Sequence, residues 1–146
     1  MSSKANILTD LSVVHVMYSG RVTLEGLRDP WREAYTSPDF KRGMNEVVDF
    51  SAVTDFDIGF DELLAFAKTS QEIHSRYGHK ITVCLIAPDK ASTGFADMFI
   101  DLAQAMQYDN DVMIVQGYPE VFAILDLSDE EIAQFPEPCR KEAHLL

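Results

Sequence analysis

Residues 47–68, VVDFSAVTDFDIGFDELLAFAK, run an apolar strand, a Ser/Thr segment rich in aspartate and an amphipathic helix together without a break. Val47, Val48 and Phe50 are apolar nearly throughout, as in a central strand covered on both faces, where the alternation of a half-solvated strand is lost. Phe60, Leu63, Leu64, Ala67, Ile73 and Tyr77 then recur at helical spacing, and Gly78 supplies a stop. The stretch between them, Ser51 to Gly59, reads as a loop at the carboxyl end of the strand.

The same alternation extends in both directions. Upstream, Ile7 and Leu8, a turn near Thr9-Asp10, and Val13, Val14, Val16 and Tyr18 read as a hairpin that ends at Ser19-Gly20. Thr23 is a good N-cap for a helix whose stripe is Leu24, Leu27, Trp31, Ala34 and Tyr35. Pro30 should kink that helix against Gly26, or restart it with Asp29 as a new cap. Downstream, Ile81 and Val83 to Ile86 form a buried strand closed by Pro88-Asp89. A third helix turns Phe95, Met98, Phe99, Leu102 and Met106 inward and Asp97, Asp101, Gln104 and Gln107 outward. Val112 to Val115 give a last strand, followed by a short helix around Val121 to Leu125. Ser128 and Glu131 form a capping box that Pro136 ends. We therefore expect one α/β domain over residues 1–146 with a mixed, mostly parallel sheet, an N-terminal hairpin and helices packed on it. Its core should span about 7–135, with 136–146 a loose tail.

With 146 residues, 47% of them apolar, such a domain can bury a full core without staples. No apolar run approaches the roughly 18 residues of a membrane span. The start, Met1 to Asn6, lacks the apolar stretch of a signal peptide. A soluble, cytoplasmic protein is expected. The two cysteines, Cys84 in an apolar run and Cys139 near the end, make neither a disulfide framework nor a thiolate metal site. The net charge of -12 repels nucleic acid and anionic membranes, which demand Lys/Arg clusters.

In a parallel sheet ligands commonly bind at the loops after the strands' carboxyl ends. Three loops qualify: Ser51 to Gly59, Pro88 to Gly94, and Gln116 to Glu120. Asp55, Asp57 and Asp61 invite a metal reading. A calcium loop starting at Asp55 would need glycine and glutamate where Phe60 and Phe66 stand. A magnesium-dependent phosphotransfer site could use Asp55 and Asp57 with Lys90 and Ser92 or Thr93. The simpler alternative has Asp57 capping the helix while Asp61 and Glu62 complement its positive end. Asp49 lacks the acidic pair and lysine of a phosphoacceptor site, since Ser19-Gly20 and Gln116-Gly117 stand there, so it should bond loop amides. Cys84 sits mid-strand, where burial is expected rather than activation. His15 lies in an apolar strand, His74 and His79 flank a helix end as solvated or C-terminal helix residues, and His144 is in the tail. Ser92-Thr93-Gly94 is a helix start whose free amides make a weak anion site. Neither cofactor nor metal is expected.

Asp49, Ser51, Val53, Asp57 and Gly59 fall on the pattern of the STAS domain, the anti-anti-sigma factor and sulfate transporter module. That pattern reads apolar-apolar-Asp-Leu-Ser-Gly-Val and then an Asp-Ser-Ser-Gly turn. With YSGRVTLEGL (18–27) and SPDFKRGMNEVVDFS (37–51), the chain resembles the bacterial stage II sporulation protein AA-like group, related in fold to STAS and to CRAL-TRIO lipid-binding domains. The resemblance covers residues 7–127 in element order and 18–64 in specific residues. It implies a non-enzymatic binding or regulatory module with a protein partner or a second copy of itself in a homodimer. A carrier of a small apolar ligand or lipid, CRAL-TRIO-like, is the alternative, and a metal-dependent enzyme using Asp55 and Asp57 ranks third. In phosphorylated STAS regulators a serine at the helix start accepts phosphate, whose charge switches partner binding. Ile58 occupies that position here, so the switch is absent unless Ser51 or Thr54 has taken it over. The expected binding surface is Ser51, Thr54, Asp55, Asp57, Ile58 and Gly59, with Ser92 and Thr93.

Overall fold

The computed structural model describes residues 3–77, 80–107 and 110–143, so the helix stop expected at Gly78 and the histidines His79 and His144 lie outside the described residues. Strands β1 (Lys4–Leu8) and β2 (Val13–Thr23) form the expected antiparallel hairpin, joined by a 3-10 turn at Thr9–Leu11. Then follow α1 (Leu24–Thr36), β3 (Asn45–Asp57), α2 (Phe60–Tyr77), β4 (Thr82–Ile86), α3 (Lys90–Ala105) and β5 (Asp111–Val115). Three short helices close the described chain: α4 (Tyr118–Ile124), α5 (Asp129–Ile132) and α6 (Glu137–Ala143). The sheet order is β1-β2-β3-β4-β5, and every pair after the hairpin is parallel. The expected mixed, mostly parallel α/β sheet is present.

This order dictates the layers. Each parallel strand is added one step further in the same direction, and right-handed crossovers then send every connecting helix to one face. Accordingly Leu27, Trp31, Leu63, Phe66 and Phe95 of α1, α2 and α3 share one apolar cluster with Val14, Val16, Val48, Phe50, Val83 and Leu85. The opposite face carries Val13, Val47, Cys84, Ile86 and Val115 and packs with Tyr118, Val121, Phe122, Phe135 and Cys139. Within the stretch 136–146 expected as a loose tail, residues 137–143 are helical. They form α6, with Cys139 buried, because this face of the sheet has no crossover helix to keep it from water.

Several boundaries also differ from the expectation. Ser19-Gly20 does not end β2; the register against β3 slips there, and Gly20 takes a φ of 70°. A side chain resists that conformation, and the resulting bulge lets the strand continue to Thr23. Thr23 caps α1, its hydroxyl oxygen accepting the Gly26 N–H at 3.2 Å. A single helix runs through Pro30 without a restart at Asp29. On α3 the buried stripe is Ser92, Phe95, Ala96, Leu102 and Ala103, which leaves Met98 outward at 43% exposure. No helix among the described residues is long and apolar enough to cross a membrane.

Candidate functional site

The segment read as a loop after Phe50 is mostly strand. The ladder from β3 to β4 stops at Asp49 and Ile86, whereas the ladder from β3 to β2 continues to Asp57 and Thr23. Past Asp49, β3 has β2 on one side and no paired strand on the other among the described residues. Val53 is buried and Phe56 half-buried, while Ser51, Thr54, Asp55 and Asp57 are exposed. Arg21, across the ladder from Asp55, donates from Nη2 to Asp57 Oδ2 at 2.8 Å, and its Nε lies 3.8 Å from Asp55 Oδ2. Asp57 thus pairs with a guanidinium rather than capping α2. A cation bridging Asp55 and Asp57 would have to displace that guanidinium.

The start of α2 is closed by its own residues. The Gly59 N–H donates to Glu62 Oε1 at 2.9 Å, one half of a capping box. Ile58 is half-buried and packs against the cluster that contains Leu63. An apolar residue just before the cap and another four residues into the helix form a hydrophobic staple, which fixes the angle at which the chain enters the helix. The position expected to take phosphate is filled by a packing residue.

At the second loop the helix begins earlier than expected, with Asp89 as N-cap. Ser92 is buried, and its N–H donates to Asp89 Oδ1 at 2.8 Å. That hydrogen bond holds the Asp89 carboxyl below its usual range. Thr93 Oγ1 donates to the Ala87 carbonyl at 3.0 Å. The Ser92 amide and both hydroxyls are committed to the turn, so Ser92 is turned inward and the free-amide anion site is replaced by a capping box. This loop and the β3 extension meet through an aromatic stack, Phe56 on Phe95, with ring centroids 4.2 Å apart.

Two buried polar clusters, one on each face of the sheet, escaped the sequence reading. Beneath α4, Asp49 Oδ1 accepts the Ser51 N–H at 2.8 Å, the amide role expected of it. Its Oδ2 accepts the Tyr118 hydroxyl at 2.6 Å, and Tyr118 Oη lies 2.8 Å from His15 Nε2. Because the phenol's one proton goes to Asp49, His15 Nε2 must be the donor, which leaves Nδ1 as a lone pair. That nitrogen is buried and has no hydrogen-bond partner. Burial pushes His15 down to about 4, partly opposed by the charge of Asp49. Burial, followed by the Asp49 charge, raises Tyr118 above its ordinary value. Near neutral pH His15 is therefore a neutral imidazole and Tyr118 an intact phenol.

On the other face Glu46 is buried, its Oε2 accepting the Tyr35 hydroxyl at 3.1 Å with His74 Nε2 at 3.6 Å. His74 stands in the last turn of α2, one of the two settings expected of it, and is buried there rather than solvated. Beside them, between the sheet and α1–α3, lies a cavity with about 40 Å³ of space for the centres of water molecules. Trp31, Phe66, Phe95 and Phe99 supply aromatic walls, and Glu46 and Ser70 supply polar ones. Cys84 faces the opposite cluster, and burial pushes its thiol up to about 11, away from nucleophilic use at neutral pH.

No protein-family model and no curated protein matches the chain. Among solved structures the chain is similar to the anti-sigma factor antagonist SpoIIAA in its unphosphorylated form. The alignment covers 84% of this chain and 94% of that one, at 11% identity and a TM-score of 0.47.

Proposed function

We propose that the chain is a non-enzymatic binding module of STAS-like type that takes a protein partner along the β2–β3 extension and works without phosphorylation. The observation that carries the reading is the free strand edge between Ser51 and Asp57, laddered on one side only. Such an edge offers unpaired backbone groups to an extended segment of another chain. Exposed Ser51, Thr54, Asp55 and Asp57 flank it, and Ile58 and Glu62 already fill the helix start. A second copy of the chain is one such partner. Cys84 and Cys139, both buried and neither in a disulfide, fit the reducing, cytoplasmic setting proposed with it.

Site-specific incorporation of a photo-cross-linking amino acid at Thr54, with exposed Glu130 as control, tests the proposal in the native host. A discrete protein adduct from position 54 and none from position 130 is expected. Equal or absent cross-linking at position 54 would remove the extension as the partner surface.

The second reading, a carrier of a small apolar ligand, is favoured by the cavity under α1–α3. A water needs roughly 10–15 Å³ by this measure, so the space suits a compact molecule rather than an acyl chain. Native mass spectrometry of protein purified from its host would show a bound small molecule if the carrier reading holds.

A further inference from the structure

We infer that the chain pairs with a second copy of itself along β5, in an antiparallel ladder whose twofold axis passes Met113. This surface shares no residue with the β2–β3 extension, so it stands or falls separately from the partner reading. Among the described residues β5 has β4 on one side and no strand on the other. Proteins blunt such an edge with lysine, proline, a bulge or a covering element. At the opposite edge β1 begins with exposed Lys4 and packs against α1. The β5 sequence, DVMIV, has no lysine or proline and pairs with β4 in unbroken register. Val112 and Ile114 face the upper cluster and Val115 the lower, so Met113 lies on the lower face, where α4 packs against β5. Met113 is 36% exposed there and Ile124 of α4 38%.

Charge and backbone geometry select a second copy as the occupant. Two chains of net charge -12 repel each other, but residues 112–119, VMIVQGYP, contain no charged side chain. Two copies therefore approach at this edge with the least repulsion. The Asp111 N–H donates to the Ile81 carbonyl and the Val115 carbonyl accepts the Ala87 N–H. Asp111, Met113 and Val115 thus turn their backbone groups toward β4, and Val112 and Ile114 turn theirs outward. With the axis at Met113, Val112 opposes Ile114 of the second copy and Ile114 opposes its Val112, and each pair exchanges hydrogen bonds in both directions. An axis at Ile114 would instead set the Gln116 N–H against Val112, and that N–H already donates to Glu120 Oε1 at 2.9 Å. The self-pairing register therefore satisfies every outward group of Val112 and Ile114. It also brings the two Met113 Cα atoms within about 4.5 Å and covers their side chains. Such an isologous contact closes as a dimer.

Sedimentation velocity of the full chain over rising protein concentration should show a monomer–dimer equilibrium. Met113→Lys sets like charges directly opposite each other at an exposed position and should weaken the dimer about tenfold or more. Met113→Cys should form an intermolecular disulfide under mild oxidation, because the pair at the axis brings the two side chains within bonding reach. Asp111→Cys is the control: it is exposed on the same strand and face but would lie opposite Val115, so it should stay unlinked. The native Cys84 and Cys139 are buried. Monomer at every concentration would overturn the proposal and leave the edge to a strand of another protein. A dimer unchanged by Met113→Lys would also overturn it, as would cross-linking at position 113 no greater than at position 111.

Discussion

Tyr118 and Asp49, 69 residues apart in the chain, meet in a 2.6 Å hydrogen bond under the sheet, and His15 of β2 completes the contact from the neighbouring strand. One phenol thus ties α4 to the two strands at the middle of the fold. Tyr118→Phe keeps the ring but leaves a buried carboxylate with one donor fewer and the His15 N–H without an acceptor. We expect a loss of about 2–3 kcal/mol in urea unfolding. A loss under roughly 0.5 kcal/mol would mean that the relay adds nothing to stability.

His15 makes stability depend on pH in a defined window. Its folded value of about 4 lies below the ordinary 6.5, so the unfolded chain binds the extra proton first. The contribution is therefore complete above pH 6.5 and is lost as pH falls toward 4. The loss by then is about 3 kcal/mol. Unfolding curves measured from pH 7 to 4 should show this slope, and His15→Gln should flatten it. An unchanged slope in the variant would assign acid sensitivity to other groups.

Ile58 gives a prediction at the candidate switch. Serine kinase and ATP should leave residues 51–59 of the wild-type protein unmodified by intact-mass and peptide mapping. Ile58→Ser should lose the staple, about 1–2 kcal/mol of stability, and gain little as a phosphate site, since the Gly59 amide is already held by Glu62. Phosphate found on Ser51 or Thr54 in protein from the host, with partner binding lost in consequence, would restore a switch.

Truncation after Gln134 removes Phe135 and α6. Phe135 is 2% exposed and meets the His15, Tyr118 and Phe122 rings at centroid distances of 5.2–6.0 Å. Its loss alone should cost about 3–5 kcal/mol. The truncated protein should bind a hydrophobic dye and unfold at lower urea; unchanged stability would make α6 an ornament.

The strands and long helices were legible because their periods are local properties. Val47, Val48 and Phe50 announce a doubly covered strand, and Thr23, Ser128 and Glu131 cap as their types predict. What escaped depends on distant partners. Ser51 to Asp57 is polar enough to read as loop, and only the slipped pairing with β2 around Gly20 makes it strand. Glu46 and His74 fall on different elements, and neither spacing reveals that they face each other. Tyr118 lay in a loop flagged only for its place at the sheet edge; its hydroxyl acquires meaning from His15 and Asp49. Burying Asp49 and Glu46 in a strand of valines was the one available hint, since a charge placed there demands a partner.

Because sheet order repeats chain order, the domain can be assembled vectorially: each strand leaving the ribosome finds its neighbour already made, and no gap need be held open for a later one. The upper layer of helices is laid down along the way. The underside, with Val13, Val47, Cys84 and Ile86, waits for residues 118–143, the last described part of the chain. The chain thus carries an adhesive, half-finished face until those residues emerge, and that face is where a chaperone has most to hold.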